Sequence, residues 1–146
     1  MCKQQSNCGE CGKEFVYDDK QKTGKWCSNK CQMENQHKNY IEDWKCGNVS
    51  GGNGYEVSRH IRRYLHEQTN SKCSNCNWGE KNKKSGLVPL HIDHIDGNST
   101  NHSINNLRLL CPNCHSLTET FGNLNTKPGR YALNNSKKHP KYSKLP

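Results

Sequence analysis

The chain has 146 residues, enough for one ordinary domain or two small ones. Only 29% of the residues are hydrophobic, and chains with so little apolar area usually need bound metals or disulfides to fold. The first twelve residues contain no apolar run, so we expect neither a signal peptide nor a transmembrane span. The resulting expectation is a cytoplasmic protein without a membrane partner, whose ten cysteines stay reduced and bind zinc rather than form disulfides.

Positive charge is concentrated in the second part of the chain. The formal net charge is +9, from 22 Lys and Arg against 13 Asp and Glu. Residues 1–50 hold eight Lys and seven acids, a net of +1, whereas residues 51–146 hold fourteen basic residues and six acids, a net of +8. This asymmetry favours a polyanionic partner, most simply nucleic acid bound through its phosphates. By composition alone, an ordinary basic surface would also fit.

Residues 1–45 are predicted to form a small zinc module. A C-x2-C pair and a C-x3-C pair are separated by fifteen mostly polar residues, and four thiolates at this spacing can surround one tetrahedral zinc. The pattern loosely resembles treble-clef-like zinc fingers, in which the second pair opens a helix; we expect a helix from Gln32 to Trp44. Iron of the rubredoxin type could use the same ligands, and the module could contact DNA, contact protein or be purely structural. The four cysteines are Cys8, Cys11, Cys27 and Cys31.

Several other residues of this module have simple expected roles. Phe15, Val16 and Trp26 are the apolar residues available to pack behind the zinc. His37 is expected to be exposed on the helix. Cys2 and Cys46 have no matching partner and are interpreted as free thiols. Residues 46–54, which are rich in glycine, are predicted to be a flexible linker that lets the two sides take independent positions.

A basic amphipathic helix is predicted over residues 55–68. Val57, Ile61 and Leu65 recur every four residues, which gives the helix one apolar side. Arginines cover much of the remaining surface and are either a solvated cationic face or, as we favour, phosphate contacts. They are Arg59, Arg62 and Arg63.

Two C-x2-C pairs separated by thirty-four residues indicate a second zinc site. Four cysteines close the coordination sphere and leave no open position for chemistry, so this site is predicted to be structural. Its ligands are Cys73, Cys76, Cys111 and Cys114.

Residues 87–122 are predicted to form a strand, a polar loop, a second strand and a helix. Val88, Leu90 and Ile92 alternate with other residues and indicate the first strand. Asp96-Gly97 opens the loop, and Leu107 and Leu109 begin the second strand. Pro112 and Gly122 bracket the helix. In that helix Cys114, Leu117 and Phe121 are expected to face inward. This ββα unit would bring four polar residues to one spot, namely Asp93, His94, Asn106 and His115.

The stretches D-H-I-D-G-N and N-N-L-R-L-L-C-P-x-C-H resemble the HNH endonuclease family, whose ββα-metal fold cleaves nucleic-acid phosphodiesters. The resemblance covers residues 55–125. It implies that His94 is the general base, that Asp93 and His115 hold a catalytic Mg²⁺ or Mn²⁺, and that Asn106 positions His94 and braces the loop. It also implies products with a 5′-phosphate and a 3′-hydroxyl. A regular strand would turn Asp93 and His94 to opposite faces, so the strand must bend or end there.

The remaining basic residues are interpreted as possible nucleic-acid contacts. Residues 126–146 form a basic tail without any acid, which is either disordered or laid along a partner. Lys127 and Arg130 in this tail, and Arg108 in the second strand, are candidate contacts. Asp96 is expected to cap the turn. His91 lies on the Asp93 side of the strand, where it is either a neighbour of the metal ligands or simply a partly exposed strand residue. His102 in the loop either contacts DNA or has no role.

Together these features predict an α+β protein: a small zinc-stabilised ββα-metal nuclease domain preceded by an N-terminal four-cysteine zinc finger. The predicted function is a metal-dependent DNA endonuclease that nicks as a monomer, of the phage or mobile-element homing type and acting in a bacterial host. The alternative is a non-catalytic, zinc-stabilised DNA-binding regulator on the same scaffold. A nuclease that lost its activity and kept only DNA binding would first lose the general base or a metal ligand. All four of these site residues are present, which favours the enzyme. The sequence leaves the target and the oligomeric state, monomer or homodimer, open.

Overall fold

The computed structural model describes residues 3–18 and 24–125. Cys2, Lys127, Arg130 and the rest of the basic tail lie outside these ranges. The described chain is a small mixed α/β structure with three two-stranded antiparallel sheets. Its strands are β1 (Lys3–Asn7), β2 (Glu14–Asp18), β3 (Gly52–Asn53), β4 (Glu56–Val57), β5 (His91–His94) and β6 (Leu107–Leu110). Its helices are α1 (Asn29–Lys45), α2 (Arg59–Gln68) and α3 (Pro112–Ser116), with 3-10 turns at Ile104–Asn106 and Gly122–Leu124.

Helix α1 begins at Asn29, three residues before the predicted start at Gln32. Ser28 caps α1, since its hydroxyl accepts a hydrogen bond from the Cys31 N–H at 3.3 Å. His37 is buried rather than exposed, because its ring packs against His60 of α2 with 3.2 Å between the two Nδ1 atoms. Val16 is 52% exposed, so it contributes less apolar support to the N-terminal module than predicted.

The main core joins α1 to the rest of the chain. Ile41 and Trp44 of α1 pack with the buried side of α2 and with the apolar side chains of β6. Ile61 of α2 is fully buried at the centre. Burying one such side chain stabilises the fold by about 1.5–3 kcal/mol. The second half of α1 is therefore part of the same core as α2 and β6.

Residues 46–54, predicted to be a flexible linker, include two glycines that lie against buried side chains. Gly51 has φ +83°, and a Cβ there would lie 2.7 Å from both Ile61 Cδ1 and Trp44 Nε1. A Cβ on Gly52 would lie 2.5 Å from the ring of His102. Glycine is needed here because the backbone passes close to buried side chains. The two glycines therefore lie against core side chains that come from both sides of residues 46–54.

The hairpin of β5 and β6 is shorter than the sequence pattern suggests. The Leu90 N–H donates to the Val88 carbonyl at 2.9 Å, which makes a tight turn around Pro89 instead of a strand. β5 then pairs with β6 so that Asp93 lies opposite Arg108.

The helix predicted to reach Gly122 ends at Ser116. Hydroxyl groups there compete with helical hydrogen bonding, since Thr118 Oγ1 donates to the His115 carbonyl at 2.9 Å. Leu117 is 84% exposed and Phe121 is also exposed, so neither faces the core. Nowhere in residues 3–18 and 24–125 is there a helix long and apolar enough to cross a membrane.

Candidate active site and cysteine tetrads

A buried carboxylate lies at the centre of the hairpin. Asp93 is 4% exposed, and its Oδ2 accepts a hydrogen bond from Arg108 Nε at 2.7 Å. The other oxygen, Oδ1, faces His115 Nε2 at 3.8 Å. β5 and β6 supply the acid and the arginine through their pairing, and α3 supplies the imidazole.

The gap between Asp93 and His115 suits a shared cation. A separation of 3.8 Å is too long for a hydrogen bond. It is below the roughly 4.2 Å that two ligands of one Mg²⁺ can span, given metal–ligand distances of about 2.1 Å. Burial lowers the pKa of His115, and although Asp93 opposes this shift, His91 and Arg108 add to it. The imidazole is therefore neutral near pH 7, which is the form that ligates metals.

Two aromatic neighbours hold the His115 ring. His91 stacks on it with 5.1 Å between ring centroids and 11° between planes. Phe121 meets it edge-on, with centroids 5.3 Å apart. The exposed Phe121 thus has a local role beside the site. His91, left unassigned by the sequence, packs on the candidate ligand rather than pointing away from it.

His94 ends β5 and contacts a different neighbour from Asp93. Its Nε2 lies 3.0 Å from Nδ1 of His102, which is 3% exposed. Burial lowers the pKa of His94, and the nearby His102 lowers it further, while the charges of Asp96 and Asp93 raise it. Asp93 is thus near enough for its charge to act on His94.

Asn106 braces the loop between the strands. Its Nδ2 donates to Asp96 Oδ1 at 2.9 Å and to the Asn101 carbonyl at 2.8 Å, and its Oδ1 accepts from the Asp96 N–H at 2.9 Å. Asp96 also accepts from the Asn98 N–H, so it caps the turn as predicted. Among the described residues Asn106 makes no hydrogen bond to His94. The contact to His94 comes instead from His102, which no sequence pattern singled out.

Each predicted set of four cysteines is brought together. Within each set the sulfur atoms lie within 4.8 Å of one another, and the sets are Cys8, Cys11, Cys27 and Cys31, and Cys73, Cys76, Cys111 and Cys114. The sulfur–sulfur distances of 3.7 Å for Cys11–Cys27 and 3.8 Å for Cys76–Cys111 match the edge of a tetrahedron with Zn–S bonds of about 2.3 Å.

The electrostatics of the first tetrad favour a bound cation. Hydrogen bonds from the backbone of Cys11 and Cys27 lower the pKa of Cys8 to about 6. Hydrogen bonding with the sulfurs of Cys31 and Cys8 raises the pKa of Cys27 to about 12. Four thiolates this close need a positive ion to offset their charge, and the four sulfurs could hold a metal ion.

The candidate nucleic-acid contacts differ in whether their charge is already paired within the described structure. Arg63 is already paired, because it donates to Glu34 at 2.9 Å and to Glu67 at 2.6 Å. Arg59 and Arg62 are exposed and make no ion pair within the described ranges. Arg108 uses Nε for Asp93, and its two terminal nitrogens make no hydrogen bond to any described residue.

The hairpin, the short helix and the cysteine tetrad that joins them are the elements of a ββα domain of the HNH type. Residues 73–120 match the family model described as HNH endonuclease, so the chain contains an HNH domain. Over 63 residues the chain is 44% identical to the H-N-H endonuclease F-TflIV of Escherichia phage T5, which covers 41% of this chain and 25% of that protein. Over 94 residues it is 27% identical to the type II restriction enzyme NlaIII of Neisseria lactamica, covering 58% of this chain and 40% of the enzyme.

The chain thus spans less than half the length of these two relatives. No solved structure matches it.

Proposed function

We propose that this protein is a metal-dependent DNA endonuclease that hydrolyses phosphodiester bonds. The observation that carries the proposal is the pair formed by the buried Asp93 and the partly exposed His115, 3.8 Å apart, next to His94 within an HNH domain. A hard divalent ion held by one carboxylate and one imidazole keeps most of its positions open for phosphate and water. Asp93 and His115 would hold Mg²⁺ or Mn²⁺.

Each residue has a defined part in the reaction. When bound, the cation supplies positive charge at the scissile phosphate and at the leaving oxygen. His94 takes a proton from water, since its lowered pKa leaves the imidazole unprotonated at neutral pH. The resulting hydroxide attacks phosphorus and the P–O3′ bond breaks, so the products carry a 5′-phosphate and a 3′-hydroxyl. A solvent proton goes to the 3′-oxygen. Asn106 keeps the loop in the shape that supports His94.

Charge on the surface supports DNA as the substrate. The terminal nitrogens of Arg108 bond no described residue, so they can reach a phosphate oxygen while Nε holds the Asp93 carboxylate. Arg59 and Arg62 are two further exposed cations, and Lys127 and Arg130 in the basic tail would add positive charge. The relatives named as phage and restriction endonucleases support a nuclease of the phage or mobile-element homing type, acting in the cytoplasm of a bacterial host. One active site per chain means that a monomer nicks one strand.

Zinc is proposed at both cysteine tetrads, where it would have a structural role. Cys111 precedes α3 and Cys73 precedes the hairpin, so the second zinc would tie α3 to the segment before β5. Both sites are closed by four sulfurs and leave no position for a substrate.

The test is nicking of supercoiled plasmid in Mg²⁺ or Mn²⁺ by the wild type, His94→Ala and His66→Ala. His66 lies on α2 and bonds Ser71, so its replacement controls for the loss of a histidine. We expect wild type and His66→Ala to produce open circles and folded, zinc-loaded His94→Ala to leave the plasmid supercoiled. Binding without cleavage in every divalent ion, on random and genomic DNA alike, would contradict the proposal and favour the non-catalytic DNA-binding alternative.

A further inference from the structure

A chain of buried and partly buried hydrogen bonds ends on His94. Trp44 Nε1 of α1 donates to the His102 carbonyl at 2.7 Å. The His102 ring lies between two partners, with Nε2 3.0 Å from the Gly54 carbonyl and Nδ1 3.0 Å from His94 Nε2. These contacts come from three separate parts of the chain and fix His102 in position and in orientation.

The partners of His102 determine which atoms carry protons. The Gly54 carbonyl can only accept, so His102 Nε2 is the N–H and, in the neutral ring, Nδ1 is the acceptor. His94 Nε2 must then donate to His102 Nδ1. The lone pair of a neutral His94 is consequently on Nδ1, which has no hydrogen-bond partner among the described residues. If a hydrogen-bond donor stood in place of His102 Nδ1, His94 would have to accept through Nε2 and carry its proton on Nδ1 instead.

We infer that His102 is a positioning residue that holds His94 in the tautomer with a free Nδ1, the atom that takes the proton from water. The inference rests on the proposed function for its catalytic meaning, while the hydrogen bond itself does not. His102 is almost completely buried, which excludes it as a DNA contact. Asn106, expected to position His94 and to brace the loop, holds the loop from which His102 projects. Its side chain accepts from the Asp96 N–H and donates to the Asn101 carbonyl.

The chain offers a discriminating pair of substitutions. In His102→Asn the side-chain oxygen lies where Nδ1 was and can still accept from His94 Nε2. In His102→Leu the bulk is similar but the acceptor is lost. We expect His102→Leu to lower kcat by about 10- to 100-fold, as removal of a group that orients a functional histidine does, with KM for plasmid unchanged. His102→Asn should recover most of that loss. His37→Leu, which removes another buried histidine, should leave kcat unchanged.

A spectroscopic measurement reads the tautomer directly. Long-range ¹H–¹⁵N correlation spectra of the full-length, zinc-loaded chain at neutral pH distinguish a proton on Nε2 from one on Nδ1, with His94 assigned by its absence in His94→Gln. We expect wild-type His94 to be protonated on Nε2 alone and His102→Leu to show both tautomers.

Two results would overturn the inference. One is a wild-type His94 protonated on Nδ1. The other is an equal loss of kcat in His102→Asn and His102→Leu that follows the loss of thermal stability, which would mean a purely structural histidine. A third result separates the two proposals. If neither the wild type nor any variant cleaves DNA but the spectra show the expected tautomer, the proposed function fails and the hydrogen bond from His94 to His102 stands.

Discussion

Arg108 and Asp93 face each other across the β5–β6 hairpin, and the arginine occupies one oxygen of the buried carboxylate while the other stays open toward His115. The ion pair keeps the carboxylate charged in a nearly dry position, where an unpaired charge would be costly. It also fixes which oxygen faces the imidazole. The pairing of two strands therefore orients the proposed ligand for the catalytic cation.

Asp93→Asn should abolish the divalent-dependent nicking, because the amide cannot supply the negative charge that a hard cation requires. We expect at least about a 100-fold loss of rate, more than removal of an orienting neighbour causes. The substitution leaves Arg108 without its ionic partner, but the Arg108 side chain is partly exposed to water. The free energy of unfolding should therefore change by no more than about 1 kcal/mol. Plasmid nicking across a range of Mg²⁺ concentrations measures the effect, with a thermal melt as the control for folding. Full activity of the Asp93→Asn variant at high Mg²⁺ would show that Asp93 is not a ligand of the catalytic cation.

The two kinds of arginine on α2 should behave differently. Arg62→Gln removes an exposed charge that makes no ion pair with the described residues. The change should weaken DNA binding and reduce the salt slope by about 0.9. Arg63→Gln removes a charge already paired with Glu34 and Glu67, so it should leave the slope unchanged and cost at most about 1 kcal/mol of stability. The measurement is the dissociation constant for a DNA duplex as a function of salt concentration. Equal slopes for the two variants would contradict the assignment of Arg62.

Activity should persist into mildly acidic solution. Burial and His102 lower the pKa of His94 below the ordinary 6.5 for a histidine. A base with a lowered pKa stays unprotonated as pH falls, so the acid limb of kcat should have its midpoint below pH 6.5, with the rate lost only below that point. The pH dependence of single-turnover nicking at saturating Mn²⁺ checks this. A midpoint above the ordinary histidine value would mean that His94 is not the group that titrates.

Cys111→Ser should reduce the bound zinc from two ions per chain to one and lower the melting temperature. Cys111 is a buried member of the second tetrad and also caps α3, since its sulfur accepts from the Cys114 N–H. Cys46→Ser is the matched control, because Cys46 is an exposed free thiol outside both tetrads. Native mass spectrometry counts the zinc. Two zinc ions retained in the Cys111 variant would disprove the tetrad.

The sequence predicted what depends on spacing and failed where the outcome depends on contacts between distant segments. Cysteine pairs and the D-H and N-N-L motifs located both tetrads and the residues around Asp93 and His115. No periodicity could reveal that His102 would meet His94, since that contact depends on the path of the loop and on Gly54, far earlier in the chain. In the same way, glycines at 51 and 52 suggested flexibility, whereas they permit close packing against Ile61 and His102.

Two truncations should separate the N-terminal zinc site from the core. A chain starting at Ser28 loses three cysteines of the first tetrad but keeps the cap and all of α1. It should bind one zinc, unfold cooperatively and still nick plasmid. A chain starting at Cys46 loses Ile41 and Trp44 from the core and the hydrogen bond to the His102 carbonyl. That loss is on the order of 5 kcal/mol or more, comparable with the whole stability of a small domain, so this chain should not fold.

Thermal melts and zinc content of the two truncated chains show whether the nuclease unit needs α1 to fold. If the chain starting at Cys46 melted like the full-length protein, α1 would be dispensable and the division at residue 45 predicted from the sequence would hold. If only the chain starting at Ser28 folds, the nuclease unit begins with α1. The helix that the sequence assigned to a separate finger would then support His94 through Trp44 and His102.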